Sequence, residues 1–293
     1  MEKTTLMVIG ASGKVGTATL EALSAMHDPE TTMILAGVRN VGKVEALKAL
    51  PGVEVLHAEM GDPKLATTLI GVDSLFIVSP STTDCAPLVL KTMKSAAAAG
   101  VKHVMVVSVM TAGRDSIYGR QFGYIECGIK LLGFEYTVLR LPLFMENYYA
   151  SRDGIVSESV LYSPVDPSKP YVPVVVADAG KMAAKIMLNP HPHNGKIYKV
   201  TAPAHTFGEA AAQFSAALGK EVSFVRIPYE TALQAYMEIG FEKWQVVGVL
   251  ELYRDIDNGN SIATTYSPDY ENVVGAPQTD LATWVKSAAP YFT

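Results

Sequence analysis

Three glycines spaced three residues apart, Gly10, Gly13 and Gly16, have the types and spacing of a phosphate-binding turn. They follow an apolar run and open a helical pattern, the setting in which a glycine-rich turn binds the pyrophosphate of a dinucleotide. Small residues let the backbone approach the phosphates, and the helix amino terminus offers unpaired N–H groups with a partial positive charge. We therefore predict a dinucleotide site whose first loop contributes Gly10, Ser12, Gly13, Lys14, Val15 and Gly16.

The residues after the second predicted strand distinguish between the two nicotinamide dinucleotides. A site for NAD usually has an acidic residue about 20 positions after the glycines, where it binds the ribose 2′-hydroxyl. The sequence has "AGVRNVGK" there, with Arg39 at the strand end and Lys43 in the turn after it. A guanidinium holds a 2′-phosphate by charge-assisted hydrogen bonds of about 1.5–3 kcal/mol each, whereas a carboxylate repels it. We therefore predict NADP(H) as the cofactor, bound in part by Arg39 and Lys43.

Three further strand ends contribute candidate residues to the same site. Asp62, in "MGDP", either accepts a hydrogen bond from the adenine amino group or caps a helix that begins at Pro63. Ser79 and Pro80 end the fourth predicted strand, where a ribose or nicotinamide would lie. Ser108 ends the fifth strand and is a candidate for cofactor binding and for catalysis.

Alternating strand and helix patterns in the first half of the chain must position these residues. Six short β-branched runs are predicted strands: Thr5–Ile9, Met33–Val38, Val53–His57, Ser74–Val78, His103–Ser108 and Tyr136–Leu139. Most are apolar throughout, which is typical of strands covered on both faces of a parallel sheet. Helices are predicted between them at Val15–Met26, Ala86–Ala99 and Tyr118–Leu132. The alternation indicates an α/β fold with a doubly wound parallel sheet.

The second half is less regular and is predicted to form a smaller mixed α/β lobe. Prolines at 164, 167, 170 and 173 interrupt long elements before regular patterns return. Asp178 is placed to cap a helix, and "TFGE" at Thr206–Glu209 is a capping box. Val222–Ile227 is a predicted strand, and Tyr229–Arg254 is predicted to form one or two helices. We divide the chain into a cofactor domain at 1–150 and a lobe at 151–293 that closes the cleft, with a sheet that the two may share.

Composition and charge exclude several classes of function. The 293 residues are 49% hydrophobic and 18% charged, which is a globular balance. A net charge of −5 without a basic run argues against direct nucleic-acid binding, and no apolar run has the length of a membrane span. Two cysteines, Cys85 and Cys127, suit a reducing compartment, and we interpret both as buried. The expected location is cytoplasmic, with nuclear entry left open.

Several segments of the sequence occur in the order and spacing of a known family. They are "VIGASGKVG", "AGVRN", the strand ending in "VVSV", "GFEYTVLRLPLFMENYY", and "GKIYKVTAP" followed by "TFGEAAAQFSAALGKEV". Together they resemble the NmrA-like branch of the atypical short-chain dehydrogenase/reductases over most of the chain. The resemblance implies a Rossmann domain that binds NADP(H), in a family that contains quinone- or isoflavone-type reductases and cofactor-sensing regulators.

The catalytic residues that the wider superfamily would imply are only partly present. In its reductases a serine, a tyrosine and a lysine cooperate, and the lysine lowers the pKa of the tyrosine that passes the proton. Ser108 matches the serine and Tyr118 opens the following helix, but Phe122 stands four residues on, where the lysine is needed. Glu126, one turn further, would disfavour a phenolate if it lay close. The tyrosine–lysine pair is therefore absent, and Ser108 and Tyr118 are the candidate catalytic residues.

The segment "LPLFMENYY" after the sixth strand is a candidate wall for a substrate pocket. Phe144 and Asn147, together with Phe122, are the predicted contacts for a flat apolar molecule, and the alternative is that the segment packs against the second lobe. His191 and His193 form H-x-H without a pattern for a third ligand, so no metal site is predicted.

Two functions follow as hypotheses. An intact phosphate turn beside an incomplete catalytic set favours a cofactor-sensing regulator, in which NADP(H) changes the affinity for a protein partner. The alternative is NADPH-dependent reduction of a quinone or enone-type compound, which needs orientation and a polarising donor more than a tuned tyrosine. Whether the chain is an enzyme, and whether it forms oligomers, is left open by the sequence.

Overall fold

A parallel seven-stranded sheet forms the centre of the molecule. The computed structural model describes residues 3–293, apart from the side chain of Lys43. Its strands are β1 (Thr4–Ile9), β2 (Thr32–Val38), β3 (Val53–His57), β4 (Ser74–Ile77), β5 (His103–Val109), β6 (Glu135–Leu141), β7 (Val160–Ser163), β8 (Lys196–Lys199) and β9 (Ser223–Arg226). The large sheet has the order β3-β2-β1-β4-β5-β6-β8, and β7 pairs with β9 in a separate parallel ribbon.

Helices connect the strands. They are α1 (Lys14–Met26), α2 (Glu45–Lys48), α3 (Leu65–Thr68), α4 (Cys85–Ala99), α5 (Ile117–Leu131), α6 (Val176–Leu188), α7 (Phe207–Leu218), α8 (Tyr229–Glu238), α9 (Lys243–Asp257), α10 (Ser261–Thr264), α11 (Asp269–Val274) and α12 (Leu281–Ala288). Alternate residues of β1 belong to different cores: Leu6 and Val8 pack with α1 and α6, whereas Met7 and Ile9 pack with α4 and α5. Both faces are therefore covered, which explains why the strands are apolar throughout.

The second half of the chain completes the large sheet as well as forming its own core. β8 pairs with β6 at the sheet edge, and α6 packs closely on α1. At their crossing a Cβ on Gly180 would lie 2.5 Å from the carbonyl carbon of Ala18, so only glycine permits this approach. A separate aromatic core, which includes Tyr148, Phe214 and Trp284, fills the lobe built from α7, α8, α9 and α12. The sheet is thus shared, and the division at residue 150 stays a prediction.

The crevice of the fold lies where the strand order reverses. β1 pairs with β2 on one side and with β4 on the other, and the connections from these strands leave in opposite directions along the sheet. Ligands of doubly wound sheets bind outside the carboxyl ends of the strands at such a switch point. The ends of β2 and β3 therefore form one side of the crevice, and those of β4, β5 and β6 form the other.

The predicted fold is confirmed, with corrections at particular elements. All six strands predicted in the first half are present, as is the capping box of Thr206 and Glu209. The prediction that both cysteines are buried is wrong for Cys127, because it lies on the face of α5 opposite the sheet and is exposed. Asp178 does not cap α6: it lies inside the first turn and accepts hydrogen bonds from Thr279, at 2.8 Å from its backbone nitrogen.

Candidate functional site

The glycine turn between β1 and α1 has a backbone that side chains would disrupt. Gly10 has φ of 79°, and a Cβ there would lie 2.7 Å from the carbonyl oxygen of Val78, at the end of β4. A Cβ on Gly16 would collide with the carbonyl oxygen of Gly10. Gly13 is less constrained, since its nearest neighbour would be 3.3 Å away. The turn therefore leaves a concave backbone surface at the switch point, which side chains at Gly10 and Gly16 would fill.

The amino terminus of α1 is open to that surface. Gly13 is the N-cap residue, and within residues 3–293 no described side chain accepts a hydrogen bond from the first turn of the helix. The first N–H groups of a helix have no partner within it, and here a phosphate can accept from them. Ser12 and Lys14 are exposed beside the turn, whereas Val15 is buried beneath it. These features fit the pyrophosphate of a dinucleotide.

The tip of β2 provides a cation on the same side as the predicted adenosine. Arg39 is exposed immediately after Val38, the last residue of the strand. Asn40 shapes the following turn by accepting a hydrogen bond from the backbone nitrogen of Gly42 at 3.0 Å. Lys43, which was predicted to assist Arg39, has a side chain that lies outside the described part of the structure.

Two other predicted cofactor residues use their side chains to shape the crevice. Asp62 accepts a hydrogen bond from the backbone nitrogen of Lys64 at 2.8 Å, so its carboxylate organises the turn before α3. Ser79 donates its hydroxyl proton to the carbonyl oxygen of Val107 at 3.1 Å, joining the ends of β4 and β5. Ser79 and Pro80 are both half-buried at the crevice. Contacts of these residues with a cofactor stay predictions.

Ser108 belongs to a buried ionic network. It is fully buried, and its hydroxyl donates a proton to Glu126 Oε1 at 2.6 Å. Arg140 of β6 binds the same carboxylate with two nitrogens, at 2.8 and 2.7 Å. The hydrogen bonds to Glu126 hold the pKa of the Arg140 guanidinium above its usual value. The only proton of the serine hydroxyl is thus directed away from the crevice, which weighs against the predicted role of Ser108 as a donor.

Tyr118 joins the two halves of the chain. Its hydroxyl donates to the carbonyl oxygen of Gln245 at 3.2 Å, and its ring packs against Trp244 and Gly248 of α9. Burial, with a smaller effect of the Glu251 carboxylate, raises the pKa of Tyr118 to about 12. The carboxylate that disfavours its phenolate is therefore Glu251, not Glu126 as the helical spacing suggested. This environment is opposite to that of a tyrosine tuned to release its proton.

An aromatic cavity opens beside the segment that follows β6. The space, about 340 Å³ with the open solvent at its mouth included, is lined by Phe144 and Asn147, two of the predicted wall residues. Leu143 and Tyr148 of the same segment also line it, and the remaining lining residues, mostly aromatic, come from the second lobe: Ser151, Tyr162, Tyr171, Phe207, Tyr236 and Tyr253. Phe122 is not among them, because it packs in the core between α5 and the sheet. We call this space the aromatic cavity.

Tyr148 and Tyr171 line the aromatic cavity, and their hydroxyls meet a third polar atom, from His205, behind that wall. The hydroxyls of Tyr148 and Tyr171 are 2.8 Å apart, and His205 Nε2 lies 3.1 Å from the first and 3.2 Å from the second. Burial lowers the pKa of His205 to about 4, so the imidazole is neutral at pH 7. Burial also raises the pKa of both tyrosines. The wall therefore presents neutral hydrogen-bonding groups.

A second cavity adjoins the first at Leu143 and Tyr171. It lies between the ends of β5 and β6 and the helices α9 and α10, and its volume is about 320 Å³ with the open solvent at its mouth included. Its lining is predominantly aliphatic, with Met110, Pro142, Val172, Leu252, Ile256, Ile262 and Ala263, and its side-chain polar groups belong to Thr111, Tyr171 and Asp255. We call it the aliphatic cavity. The two cavities lie side by side at the crevice end farthest from the tip of β2, and both are open to solvent.

Most residues around these cavities had no signal in the sequence. Tyr171, His205, Tyr236 and Tyr253 come from separate elements of the second lobe, and no spacing connects them with the strand ends. Thr111 lies two residues after β5, where the strand-end rule that selected Ser79 could have found it.

Two classes of site have no support among the described residues. Within residues 3–293, no three histidine, cysteine, aspartate or glutamate side chains converge to hold a metal ion. His191 instead lies 3.2 Å from Glu135, and His193 lies 2.8 Å from the Tyr198 hydroxyl. In the same part of the chain, none of the helices has the length and hydrophobicity that crossing a bilayer requires.

Comparison with known proteins places this geometry among dinucleotide-dependent proteins. The model of the NmrA-like family matches residues 2–275. A NAD(P)H azoreductase of Xenophilus azovorans is 27% identical over 98% of this chain and 99% of its own length.

Two solved structures share the fold over nearly the whole chain. The NADPH-dependent quinone oxidoreductase of Escherichia coli, in complex with NADPH, is 26% identical with a TM-score of 0.83, covering 96% of this chain and 99% of that one. NmrA, a negative transcriptional regulator in complex with NAD, is 17% identical with a TM-score of 0.76, covering 99% and 96%. Both carry a nicotinamide dinucleotide, which agrees with the cofactor class predicted from the glycine turn.

Proposed function

The chain belongs to the NmrA-like family, and from this premise we propose that it is an NADPH-dependent reductase of flat, conjugated acceptors such as quinones or azo compounds. The observation that carries the proposal is the pair of adjoining cavities at the ends of β5 and β6, on the nicotinamide side of the crevice. Aromatic and aliphatic walls with few polar groups suit a flat apolar ligand.

The residues for holding the cofactor are at the other side of the crevice. The backbone around Gly10 and the open terminus of α1 bind the pyrophosphate, and Arg39 binds the 2′-phosphate of the adenosine ribose. Bound NADPH supplies a hydride to the acceptor. The half-buried Ser79 and Pro80 shape the crevice between these two regions.

The chemistry of the acceptor explains why a tuned tyrosine is dispensable. A quinone or azo compound is already electron-poor, so orientation in a dry pocket and a hydrogen bond to its heteroatom promote hydride transfer. The Tyr118 hydroxyl stays protonated up to high pH and donates a hydrogen bond to the carbonyl oxygen of Gln245. The Ser108 hydroxyl donates a hydrogen bond to the carboxylate of Glu126. The protein part of the reaction is therefore positioning and exclusion of water.

The relatives support a reductase more strongly than a regulator. The azoreductase and the quinone oxidoreductase are 27% and 26% identical to this chain, and both match it along nearly its full length. The transcriptional regulator is 17% identical, which supports a shared fold alone. The sequence favoured the regulator, whereas the relatives favour the reductase; a regulatory role through a protein partner stays a prediction.

Acceptor-dependent consumption of NADPH tests the proposal. Purified protein is mixed with NADPH and a panel of benzoquinones, naphthoquinones and azo compounds, and the loss of NADPH absorbance is followed against a saturated ketone of similar size. We expect saturable turnover with conjugated acceptors and none with the saturated ketone. Binding of NADPH without consumption across the whole panel would remove the proposal.

Substitution of Arg39 tests the choice of cofactor. Arg39→Ala removes a charge-assisted interaction of about 1.5–3 kcal/mol, so we expect NADPH to bind roughly 10- to 100-fold more weakly. NADH, which has no 2′-phosphate, should bind within about twofold of the unsubstituted protein. Calorimetric titration with both cofactors gives the two changes, and an equal loss for both would show that Arg39 does not select the phosphate.

A further inference from the structure

Unpartnered polar atoms in the interior mark one residue of the aliphatic cavity. Among the described residues, four buried side-chain atoms make no hydrogen bond: His27 Nε2, Thr82 Oγ1, Thr111 Oγ1 and His205 Nδ1. Nearly all buried polar groups in proteins have partners, so each exception calls for an explanation. Of these four residues, Thr111 is the one that lines a cavity described above.

The backbone holds Thr111 in a defined position. It lies two residues after β5, and its side chain is 1% exposed. Its carbonyl oxygen accepts a hydrogen bond from the backbone nitrogen of Arg114 at 2.9 Å. Gly119, in the first turn of α5, approaches so closely that a Cβ there would lie 2.7 Å from the same oxygen. The backbone of Thr111 is therefore held in place before any ligand binds.

The other polar side chains of the aliphatic cavity already have partners. Asp255 accepts a hydrogen bond from Asn260 Nδ2 at 2.9 Å and lies 3.6 Å from the Arg114 guanidinium. The Tyr171 hydroxyl is bound within the network of Tyr148 and His205. Among the described side chains of this cavity, Thr111 Oγ1 is thus the buried hydrogen-bond donor without a partner.

We propose that the Thr111 hydroxyl donates a hydrogen bond to the carbonyl oxygen of a quinone-type acceptor seated in the aliphatic cavity. The proposal rests on the reductase function proposed above and names the residue that orients the acceptor. Aliphatic walls from Met110, Leu252 and Ile256 contact the ring faces, while the single free donor fixes the direction of the carbonyl. A hydrogen bond in such a dry site also withdraws electron density from the acceptor, which favours hydride addition.

The position of the aliphatic cavity favours the acceptor over the cofactor as the partner of Thr111. The cavity borders the ends of β5 and β6, which are the second and third strands from β1 on that side of the sheet. At about 4.8 Å per strand, the end of β6 lies roughly 14 Å from the glycine turn. Its remaining wall comes from α9 and α10 of the second lobe.

The substitution Thr111→Val tests the proposal because it keeps the shape and removes the hydroxyl. An unpartnered buried hydroxyl destabilises the folded protein, so we expect the melting temperature to stay equal or rise. We expect kcat/KM for quinones to fall about tenfold, with kcat lowered as well as KM raised, and the dissociation constant of NADPH to stay unchanged. Thr111→Ser, which keeps the hydroxyl, should recover most of the lost efficiency.

A second buried threonine provides the matched control. Thr137 is fully buried, but its hydroxyl donates to the carbonyl oxygen of His193 at 3.0 Å, so Thr137→Val should lower the melting temperature. A comparable decrease for Thr111→Val would overturn the proposal, because it would show that the hydroxyl has a structural partner. Weaker binding of NADPH, or an unchanged kcat/KM for quinones, would also overturn it. If the unsubstituted protein consumes no NADPH with any acceptor, the reductase function itself fails.

Discussion

The glycine turn and the segment from β5 to α5 were both predicted to contain functional residues, and the two regions differ in whether their polar groups already have partners within the protein. The turn around Gly10 is shaped by backbone contacts and leaves its donors open to a ligand. In the second segment, Ser108 and Tyr118 direct their hydroxyls to partners within the protein. The first region therefore has donors without a partner in the protein, whereas the hydroxyls of Ser108 and Tyr118 already have partners, and a catalytic role for either stays a prediction.

The difference has a physical reason. A phosphate-binding turn is made of backbone, so the glycines and the flanking pattern specify it within a dozen residues. A catalytic side chain functions only if its polar atom faces the substrate, and that direction depends on partners elsewhere in the chain. Arg140 and Gln245, which determine the roles of Ser108 and Tyr118, are 32 and 127 residues away from them.

The largest effect is expected at the ionic network, where Glu126→Ala breaks the pair with Arg140 and leaves a half-buried guanidinium without its carboxylate. We expect a loss of about 3 kcal/mol in the free energy of unfolding, at the lower end for broken buried pairs because Arg140 keeps some exposure. Glu21→Ala, on the exposed face of α1, should change it by less than about 0.5 kcal/mol. Urea denaturation measures both. A stable Glu126→Ala protein without turnover would instead make this network catalytic.

The next effect is expected in the glycine turn. Gly10→Ala places a Cβ against the carbonyl oxygen of Val78 at positive φ, so we expect about 2–3 kcal/mol of destabilisation and loss of NADPH binding. Gly71→Ala is the matched control, because Gly71 also has positive φ, 85°, but nothing within 4 Å of the added atom. Gly71→Ala should be destabilised only by backbone strain, by about 1–2 kcal/mol, and should bind NADPH normally. Normal NADPH binding by Gly10→Ala would contradict the proposal that the backbone of this turn binds the pyrophosphate.

A smaller effect is expected for Tyr118→Phe, which leaves the Gln245 carbonyl without its donor. We expect a loss of about 1 kcal/mol in stability and a kcat within about threefold of the unsubstituted value. If Tyr118 passed a proton to the substrate, Tyr118→Phe would lower kcat by roughly 100-fold or more.

The pH dependence distinguishes these roles of Tyr118 further. Its pKa is raised to about 12, above the usual value of 10, so the folded state favours the neutral phenol. The resulting stabilisation is complete below pH 10 and is lost as the pH rises from about 10 to 12. No limb from this group should therefore appear in the pH–rate profile of kcat/KM below about pH 10, and a limb near pH 7 that disappears in Tyr118→Phe would contradict this interpretation.

The sequence predicts the regular and local features of the molecule. Apolar β-branched runs predict the six strands from Thr4–Ile9 to Glu135–Leu141, and the spacing of the glycines predicts the turn. It does not predict β8, a four-residue strand with exposed lysines at both ends. Nor does it predict the cavities, because Tyr171, His205 and Tyr253 meet only when the second lobe folds over the strand ends. Their separation along the chain gives them no period or motif.

The ratio of kcat/KM for NADPH and NADH, measured with one naphthoquinone as the acceptor, tests the central claim most directly. If the glycine turn and Arg39 hold the phosphorylated dinucleotide for reduction of a ligand in the adjoining cavities, consumption depends on the quinone and saturates. We then expect a preference for NADPH of at least about tenfold. Equal use of the two cofactors, or NADPH that binds and is not consumed in the presence of the quinone, would contradict the claim.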